Sequence, residues 1–360
     1  MAVSQAIARP AVAPLEPLTV RSVDESERAS WDALVSSTPG GSFYHLYAWR
    51  EINESQLGHR CEYLAATRPN GAIEGVLPLV LVQSRLFGRI LCSMPFVNYG
   101  GPIGSSPPVR TLLADAASHR ADALGADYLE LRCASVLETT MPLSLRKVSM
   151  TVALHPDPDT LWNAFTSKHR NNIRRAMKSG LDVRSGGVEL LEDFYQVLER
   201  SWRSLGTPLY PKEYFRSILR IFPDNTRIFV CHLHGLPAAV AMNGYSHGTV
   251  EGMWAGVDPE LRRLQPNYVL YWEMLRASCL SGFERFHLGR STAKSGSEQF
   301  KEKWLAEPSQ LYWYFHRPDG GPMPDLNVDN PRFRLAIAAW RRLPLWATRR
   351  LGPPIARLIP

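Results

Sequence analysis

The clearest pattern in the sequence is a basic segment near its centre, Arg170-Asn171-Asn172-Ile173-Arg174-Arg175-Ala176-Met177-Lys178-Ser179-Gly180-Leu181. Ser167 is a favourable N-cap residue and Gly180 a favourable C-terminal stop, so the segment is predicted to be a helix. On that helix Arg170, Arg174 and Lys178 recur every four residues and form one positive stripe. Like charges at this spacing repel one another. The stripe therefore indicates either a solvated face or a nearby anion, which would be a phosphate, a carboxylate or an RNA backbone.

The composition of the 360 residues is that of a soluble globular protein, with 45% hydrophobic and 21% charged residues. This length predicts two or three domains. The sequence contains no window of 18 consecutive apolar residues, so we expect no transmembrane helix. Residues 1–18 are rich in Ala and Pro and are predicted to be a disordered tail rather than a signal peptide.

Several common functional sites are absent from the sequence. The five cysteines are scattered and include no CxxC pair, which favours a reducing compartment and argues against structural zinc. The single HxH motif, His232-Leu233-His234, lacks a third ligand, so no metal site is predicted. No GxSxG, GxGxxG or GxxxxGKS motif occurs, which argues against a hydrolase elbow, a Rossmann fold and a P-loop.

Hydrophobic periodicity predicts the same order of elements in each half of the chain: helix, three meandering strands, helix, strand and a further strand. In the first half, helices are predicted at 26–35, 46–57 and 109–124, and strands at 61–67, 73–82, 89–94, 127–132 and 147–154. In the second half, helices are predicted at 190–205, 212–221, 267–280 and 297–304, and strands at 227–233, 237–245, 250–256, 285–288 and 311–316. The predicted fold class is therefore α/β (α+β), with two copies of one unit whose mixed sheets are flanked by helices.

We expect the first domain at 19–155 and the second at 156–316, with an inserted helical pair at 157–180. Residues 317–330 are rich in Pro, Gly, Asp and Asn and are predicted to be a linker. The remaining residues, 331–360, form a basic amphipathic tail.

Two further segments carry candidate functional residues. The strand that ends in Gly289-Arg290-Ser291-Thr292 places Arg290 at its C-terminal edge, where α/β folds bind ligands, and Lys301 follows shortly after. The loop Pro95-Phe96-Val97-Asn98-Tyr99-Gly100-Gly101 either lines a groove with aromatic residues such as Tyr99 or is a tight turn with packed rings.

Together these segments resemble the Fem family of tandem GNAT-fold acyltransferases, over residues 31–315. The segment 170–181 resembles the R-x-x-I-R-x-A-x-K-x-G signature that opens the second GNAT domain of that family. The segment 300–307 resembles its F-K-x-x-(F/W)-G-x-E motif, with Leu305 where Gly is common. A closer resemblance is to the bacterial branch associated with exosortase (PEP-CTERM) and exopolysaccharide systems. This branch is matched by the segments 86–88, 95–101, 129–132, 205–208, 286–292 and 343–345.

The resemblance implies a cytoplasmic acyl or aminoacyl transferase that acts on an amine of a cell-envelope or exopolysaccharide-related acceptor. Its donor substrate would be acyl-CoA or aminoacyl-tRNA, without a permanently bound cofactor or metal. Its partners would be a small-molecule or lipid-linked envelope precursor and charged tRNA, but not DNA. By resemblance, Lys301 would stabilise the oxyanion of the transfer reaction with Phe300 packed beside it, and Arg290 would hold a phosphate or carboxylate of either substrate.

The loop equivalent to the CoA-pyrophosphate loop of GNAT enzymes is 258–267, and it contains no glycine. Arg262 and Arg263 are expected to bind phosphate with their side chains instead, next to Asn267. Arg170, Arg174, Lys178 and Tyr99 complete the candidate binding residues.

Two alternatives to the transferase remain. The missing glycines favour a non-catalytic GNAT-like binding module of an envelope or exosortase assembly system. An RNA-binding protein is a third hypothesis, which rests on the basic helix alone because no RNP-type aromatic motif accompanies it.

The tail 331–360 accounts for the net charge of +7. It contains seven arginines and no Asp, Glu or Lys, so the 34 acidic residues of the chain balance the other 34 basic ones. Phe333, Ile337 and Trp340 form one apolar helical face, and this composition is typical of an interfacial membrane helix. We therefore expect peripheral attachment to the inner face of the cytoplasmic membrane. The alternative is a tail whose apolar face packs on the domains.

Overall fold

The computed structural model describes residues 17–84, 87–292, 295–322 and 331–359, so most of the predicted N-terminal tail and most of the predicted linker lie outside the described residues. The helices within these ranges are α1 (Arg28–Ser37), α2 (Trp49–Ser55), α3 (Pro107–Ala123), α4 (Pro158–Ala164), α5 (Ser167–Met177), α6 (Leu191–Leu205), α7 (Lys212–Ile221), α8 (Pro266–Leu280), α9 (Gly296–Glu302), α10 (Pro331–Arg342) and α11 (Leu345–Ala356). The strands are β1 (Thr19–Ser22), β2 (Arg60–Cys61), β3 (Leu64–Thr67), β4 (Ile73–Leu77), β5 (Leu79–Ser84), β6 (Gly88–Ser93), β7 (Ile103–Gly104), β8 (Tyr128–Cys133), β9 (Leu143–Ser144), β10 (Lys147–Ala153), β11 (Leu181–Gly186), β12 (Thr226–Leu233), β13 (Leu236–Ser246), β14 (Thr249–Val257), β15 (Arg285–Thr292), β16 (Glu307–Gln310) and β17 (Tyr312–His316).

These strands form three sheets. The first half contains a four-stranded sheet in the order β1-β3-β4-β7 and most of a six-stranded sheet in the order β2-β5-β6-β8-β17-β9. The second half is built on a seven-stranded sheet in the order β11-β12-β13-β14-β15-β10-β16. One neighbouring pair in each large sheet is parallel, β6 with β8 and β14 with β15, and each pair is connected through a helix, α3 or α8. The predicted class, mixed sheets flanked by helices in two units, is confirmed.

Two strands lie in the sheet of the opposite half. The strand that closes the first half in the sequence analysis, β10, pairs with β15 and β16 of the second. The strand that was expected to close the second half, β17, pairs with β8 and β9 of the first. The assignment of these strands to their own halves is therefore wrong. Alternation along a strand reports which of its faces is buried, and it carries no information about the partner strand.

Local differences from the predicted elements have simple causes. The predicted strand 73–82 is divided at Pro78, which has no N–H to donate to a ladder, and its two parts join different sheets. The predicted strand 61–67 is likewise divided into β2 and β3. The edge strand β11 was not predicted, although it continues directly from the basic segment.

A single hydrophobic cluster connects the two halves and fixes the position of the site described below. It includes Trp31 and Trp49 of the first half and Phe215 and Trp254 of the second. Phe43 packs on Phe222 at a ring-centroid distance of 4.8 Å. Its ring also covers Gly244, where an added Cβ would lie 2.4 Å from Phe43 Cδ1. A side chain at residue 244 would therefore push the halves apart.

The C-terminal helices α10 and α11 pack on α6, and Ile337 and Trp340 of the predicted apolar face take part, whereas the side chain of Phe333 lies outside the described residues. Trp340 is buried, and Ile337 lies against Gly206. Arg349 forms a two-point ion pair with the buried Glu199, and its Nε lies 2.7 Å from Glu199 Oε2. The tail also contacts the first half, because His59 Nε2 donates to the carbonyl oxygen of Arg357 at 2.7 Å. The apolar face of the tail thus belongs to the folded body.

Candidate active site

The parallel strands β14 and β15 diverge. They pair only over their first three residues, Thr249–Glu251 with Arg285–His287, although both continue for several more. Gly289 lies just beyond this point with φ of 79°, a left-handed conformation that glycine adopts without strain. Asn98, from the first half, bridges the separated strands: its Nδ2 donates to the carbonyl oxygen of Gly252 at 3.3 Å, and its Oδ1 accepts from the Arg290 N–H at 3.5 Å.

The divergence leaves a cavity of about 180 Å³, which we call the strand opening. Its walls come from both halves and include Asn98, Asn243, Gly252, Met253, Trp254, Ala255, Tyr271, Leu288, Gly289, Arg290 and Lys301. The buried Asn243 Nδ2 makes no hydrogen bond with the described residues. The strand opening is therefore lined by several hydrogen-bond donors.

Lys301 lies on α9 at the edge of the strand opening and is 7% exposed. Its Nζ donates to the carbonyl oxygens of Gly289 at 2.8 Å and Arg290 at 3.0 Å. An ammonium group has three donors, so one N–H remains available. Burial, and next the positive charge of Arg290, lower the pKa of Lys301 from 10.5 to about 8.

Arg290 is half-buried between the two halves. Its guanidinium lies 5.5 Å from the centroid of the Trp313 ring, and Nη1 donates to the carbonyl oxygen of Val97 at 3.4 Å. Within the described part of the chain no carboxylate lies within 4.0 Å of this guanidinium, whereas the nearby Arg132 is paired with Glu130 at 2.6 Å. Burial, and next the charge of Arg132, lower the pKa of Arg290 to about 10.

Two further cavities flank the strand opening. The first, which we call the helix-side cavity, has a volume of about 230 Å³ at the start of α8. It brings together three residues predicted from the sequence: Arg262, Asn267 and Phe300. It shares Ala255 and Tyr271 with the strand opening. Arg263, the fourth predicted residue of this region, is exposed and does not line it.

The second flanking cavity, which we call the aromatic cavity, has a volume of about 180 Å³ and lies between the two halves. It shares Asn98, Met253, Trp254 and Arg290 with the strand opening. The rest of its wall is formed by Tyr44, Phe96, Val97, Trp202 and Tyr210. The three cavities thus follow one another, with Lys301 in the middle one.

The basic helix α5 contributes no residue to these three cavities. Arg170 Nη1 donates to the carbonyl oxygens of Asn163 at 2.9 Å and Phe165 at 2.5 Å, so Arg170 caps the end of α4. Arg174 and Lys178 are exposed, and the Arg174 guanidinium lies 5.3 Å from the centroid of a Trp162 ring. The positive stripe therefore divides into one structural residue and two that face solvent.

Tyr99 is buried in a polar cluster rather than on a cavity wall. Its hydroxyl donates to Glu251 Oε1 at 2.5 Å and lies 3.2 Å from His287 Nδ1, which is 2.8 Å from the same carboxylate oxygen. Burial, and next the carboxylate of Glu251, raise the pKa of Tyr99 well above its ordinary value. The residue of this loop that faces the strand opening is its neighbour Asn98, which the sequence analysis missed. It also missed Asn243, whose strand carries no local signal of function.

Comparisons with known proteins agree with this geometry. Residues 167–302, which include every wall residue of the strand opening except Asn98, match the family model described as an acetyltransferase (GNAT) domain. A search of curated proteins gave no match. Among solved structures, the chain is similar to FemX, with a TM-score of 0.63, 15% identity and coverage of 83% of this chain and 97% of that one.

Two other solved structures are similar over most of their length. L-PGS from Bacillus licheniformis has a TM-score of 0.54 and 14% identity, with coverage of 94% of this chain and 98% of that one. A tandem GNAT protein from the clavulanic acid biosynthesis pathway has a TM-score of 0.50 and 11% identity, with coverage of 86% of this chain and 100% of that one. At these identities the likeness concerns the fold. Residues 167–302 thus match a GNAT acetyltransferase domain, and the fold of the chain is a two-domain GNAT arrangement.

Proposed function

We propose that the protein is an acyl or aminoacyl transferase that acylates an amine in the strand opening. The observation that supports this most directly is the divergence of β14 and β15 around Lys301. The donor would enter from the helix-side cavity, where Arg262 and Asn267 can bind a phosphate-bearing group. Both acyl-CoA and aminoacyl-tRNA carry such a group.

The chemistry follows from the donors around the opening. The amine nitrogen attacks the donor carbonyl carbon, and the carbonyl oxygen becomes an oxyanion. The remaining N–H of Lys301 and the amide of Asn243, which lines the same opening, would donate hydrogen bonds to that oxygen. Collapse of the intermediate breaks the thioester or ester bond, and the proton lost by the amine goes to the leaving sulfur or oxygen. The cation of Lys301 thus acts on charge that is present only in the transition state.

Donor binding is the first test of this proposal. We expect the melting temperature of the protein to rise with acetyl-CoA or with charged tRNA, and not with nucleotide sugars alone, because the donor binds only the folded state. The variant R262Q should lose most of this stabilisation. Its neighbour in sequence, R263Q, makes the same charge change outside the helix-side cavity and serves as the matched control. Equal loss in both variants, or none in either, would contradict the proposed donor site.

A non-catalytic binding module is a second candidate, and one observation favours it. The loop before α8 has no glycine, and its residue Gln265 adopts a left-handed conformation with φ of 56°. A backbone cradle for a pyrophosphate is therefore replaced by side chains alone. A protein that binds donor and acceptor separately but yields no acylated product, as measured by mass spectrometry, would be such a module.

We further propose, on the resemblance to the exosortase-associated branch, that the acceptor belongs to the cell envelope or to exopolysaccharide assembly. A peripheral site at the cytoplasmic membrane fits such an acceptor. The outer surface of the tail exposes Trp346 (72%), Leu351, Arg342 and Arg350, while its inner surface packs on α6. This outer surface is what would contact anionic lipids. None of the helices described is long and apolar enough to cross a bilayer.

A further inference from the structure

We infer that the acceptor is an amine that also carries an anionic group, and that Arg290 binds this group in the aromatic cavity. The inference rests on the proposed transferase function and adds the chemical class of the acceptor to it. Neither the family match nor the structural relatives assign a ligand to this cavity.

Two positive charges, Arg132 and Arg290, lie near the Trp313 ring, with guanidinium-to-centroid distances of 4.6 and 5.5 Å. Glu130 neutralises Arg132 through the pair at 2.6 Å, and nothing acidic in the described ranges lies within 4.0 Å of Arg290. One positive charge therefore remains unbalanced between the two halves. A desolvated cation without an ion-pair partner is costly, and an anionic ligand would reduce that cost.

Aromatic side chains form the wall of the cavity around the Arg290 charge. Tyr44, Phe96, Tyr210 and Trp254 are buried, and Trp202 completes the ring of aromatic side chains. The Tyr44 hydroxyl already accepts a hydrogen bond from Asn98 Nδ2 at 2.9 Å. Arg290 is consequently the charged group that a ligand meets here, and its planar fork matches a carboxylate or a phosphate. A volume of about 180 Å³ corresponds to about six water molecules, so the cavity admits a compact group.

The side from which a ligand approaches Lys301 distinguishes the acceptor from the donor. The helix-side cavity and the aromatic cavity meet the strand opening at different residues, Ala255 and Tyr271 for one and Asn98 and Arg290 for the other. A ligand held by Arg290 therefore approaches Lys301 from the side away from Arg262. Since the proposed donor occupies the Arg262 side, the molecule bound through Arg290 is the acceptor.

The test is direct binding, measured without any donor. Trp202 and Trp254 line the aromatic cavity and Trp313 lies under Arg290, so tryptophan fluorescence reports occupancy. Three small amines are titrated: β-alanine, O-phosphoethanolamine and 3-amino-1-propanol, an analogue without an anionic group. We expect at least one anionic amine to bind at least tenfold more tightly than the aminoalcohol. Whichever of β-alanine and O-phosphoethanolamine binds more tightly indicates whether the acceptor carries a carboxylate or a phosphate.

Two variants assign the effect to Arg290. R290Q should weaken binding of the anionic amine at least tenfold, and R290K, which keeps the charge but loses the fork, should weaken it less. The exposed Arg220 provides the matched control, and R220Q should bind like the unaltered protein. Equal binding of all three amines, or an unchanged anionic titration in R290Q, would overturn the inference. If R290Q fails to fold, the comparison of the three amines decides on its own.

Failure of the inference and failure of the proposed function are distinguishable. Binding of anionic amines that depends on Arg290, in a protein that transfers no acyl group, would contradict the transferase and leave the inference standing. Transfer to amines regardless of their charge would contradict the inference alone.

Discussion

The side chain of Lys301 is hydrogen-bonded to the main chain of Arg290, with Nζ 3.0 Å from the carbonyl oxygen. One ammonium group therefore holds the strand segment from which the unpaired guanidinium projects into the aromatic cavity. After burial, the positive charge of Arg290 also contributes to the reduced pKa of Lys301. The group proposed to stabilise the oxyanion and the group proposed to bind the acceptor are thus mechanically and electrostatically connected.

The first prediction concerns catalysis. K301A should lower kcat by about 10²–10³-fold, the usual loss when one donor to an oxyanion is removed. K303A, two residues further on and exposed, should retain activity. Because Lys301 also holds two carbonyl oxygens, thermal unfolding of both variants is measured alongside steady-state kinetics. An unchanged kcat in a folded K301A protein would remove Lys301 from the mechanism.

The second prediction uses the lowered pKa of Lys301, about 8 in the folded protein against 10.5 ordinarily. Below pH 8 both the folded and unfolded states carry the proton, and the cost of burying the charge is fully present. As the pH rises above 8 the folded state loses the proton first, so the stability of the protein rises, by about 2 kcal/mol up to pH 9.5 relative to K301M.

Activity should change in the opposite direction over the same range. The ratio of kcat for the unaltered protein to that of K301R, which stays charged, should fall as the pH rises through about 8. Denaturant unfolding checks the rise in stability with pH, and rate measurements at the same pH values check the fall in relative kcat. A stability that falls relative to K301M above pH 8 would contradict the assignment of a buried, charged Lys301.

The third prediction assigns different roles to the basic residues of α5, structural for Arg170 and ligand-binding for Arg174 and Lys178. R170Q should lower the free energy of unfolding by about 1–2 kcal/mol, because Arg170 caps α4, without altering the salt dependence of donor binding. R174Q combined with K178Q should leave stability almost unchanged. If the donor is charged tRNA, this pair should weaken its binding and flatten the salt slope. Filter binding at several salt concentrations distinguishes R170Q from R174Q/K178Q. If both have the same salt slope as the unaltered protein, the stripe is a solvated face.

The fourth prediction concerns the tail. The double variant W346S/R350Q should lose co-sedimentation with vesicles of anionic phospholipid at low salt, because it removes the most exposed ring of the outer surface and one of its charges. The folded body is expected to be unaffected, unlike in a truncation at residue 330, which would uncover the buried Glu199. Vesicles of neutral phospholipid are the control. Equal sedimentation of variant and unaltered protein would contradict membrane attachment through this surface.

The sequence predicts the helices and most strands of this fold because each has its own periodicity, as the agreement over α7 illustrates. It does not predict where β10 and β17 lie, since pairing between distant strands leaves no local pattern. The resemblance identified Lys301 and Phe300, and both lie on cavity walls. The proposed roles of these residues remain predictions.

Other site residues could not be predicted from the sequence, for a different reason. In the loop after β6 the sequence analysis selected Tyr99, while Asn98 enters the strand opening, because an irregular backbone has no period that tells which side chain faces a ligand. Arg132 is an exception that could have been found. Glu130 and Arg132 are two residues apart on one strand, so alternation places both on the same face as an ion pair.

The exchange of β10 and β17 determines how the two halves depend on each other. Cutting the chain between residues 155 and 156 would leave the second fragment without the strand that separates β15 from β16, and would leave β8 and β9 without the strand between them. Each fragment would then expose unpaired strand edges, whose backbone N–H and C=O groups could hydrogen-bond to other molecules. The duplicated units are therefore an inseparable pair, and losing either one in evolution would require the other sheet to be rebuilt.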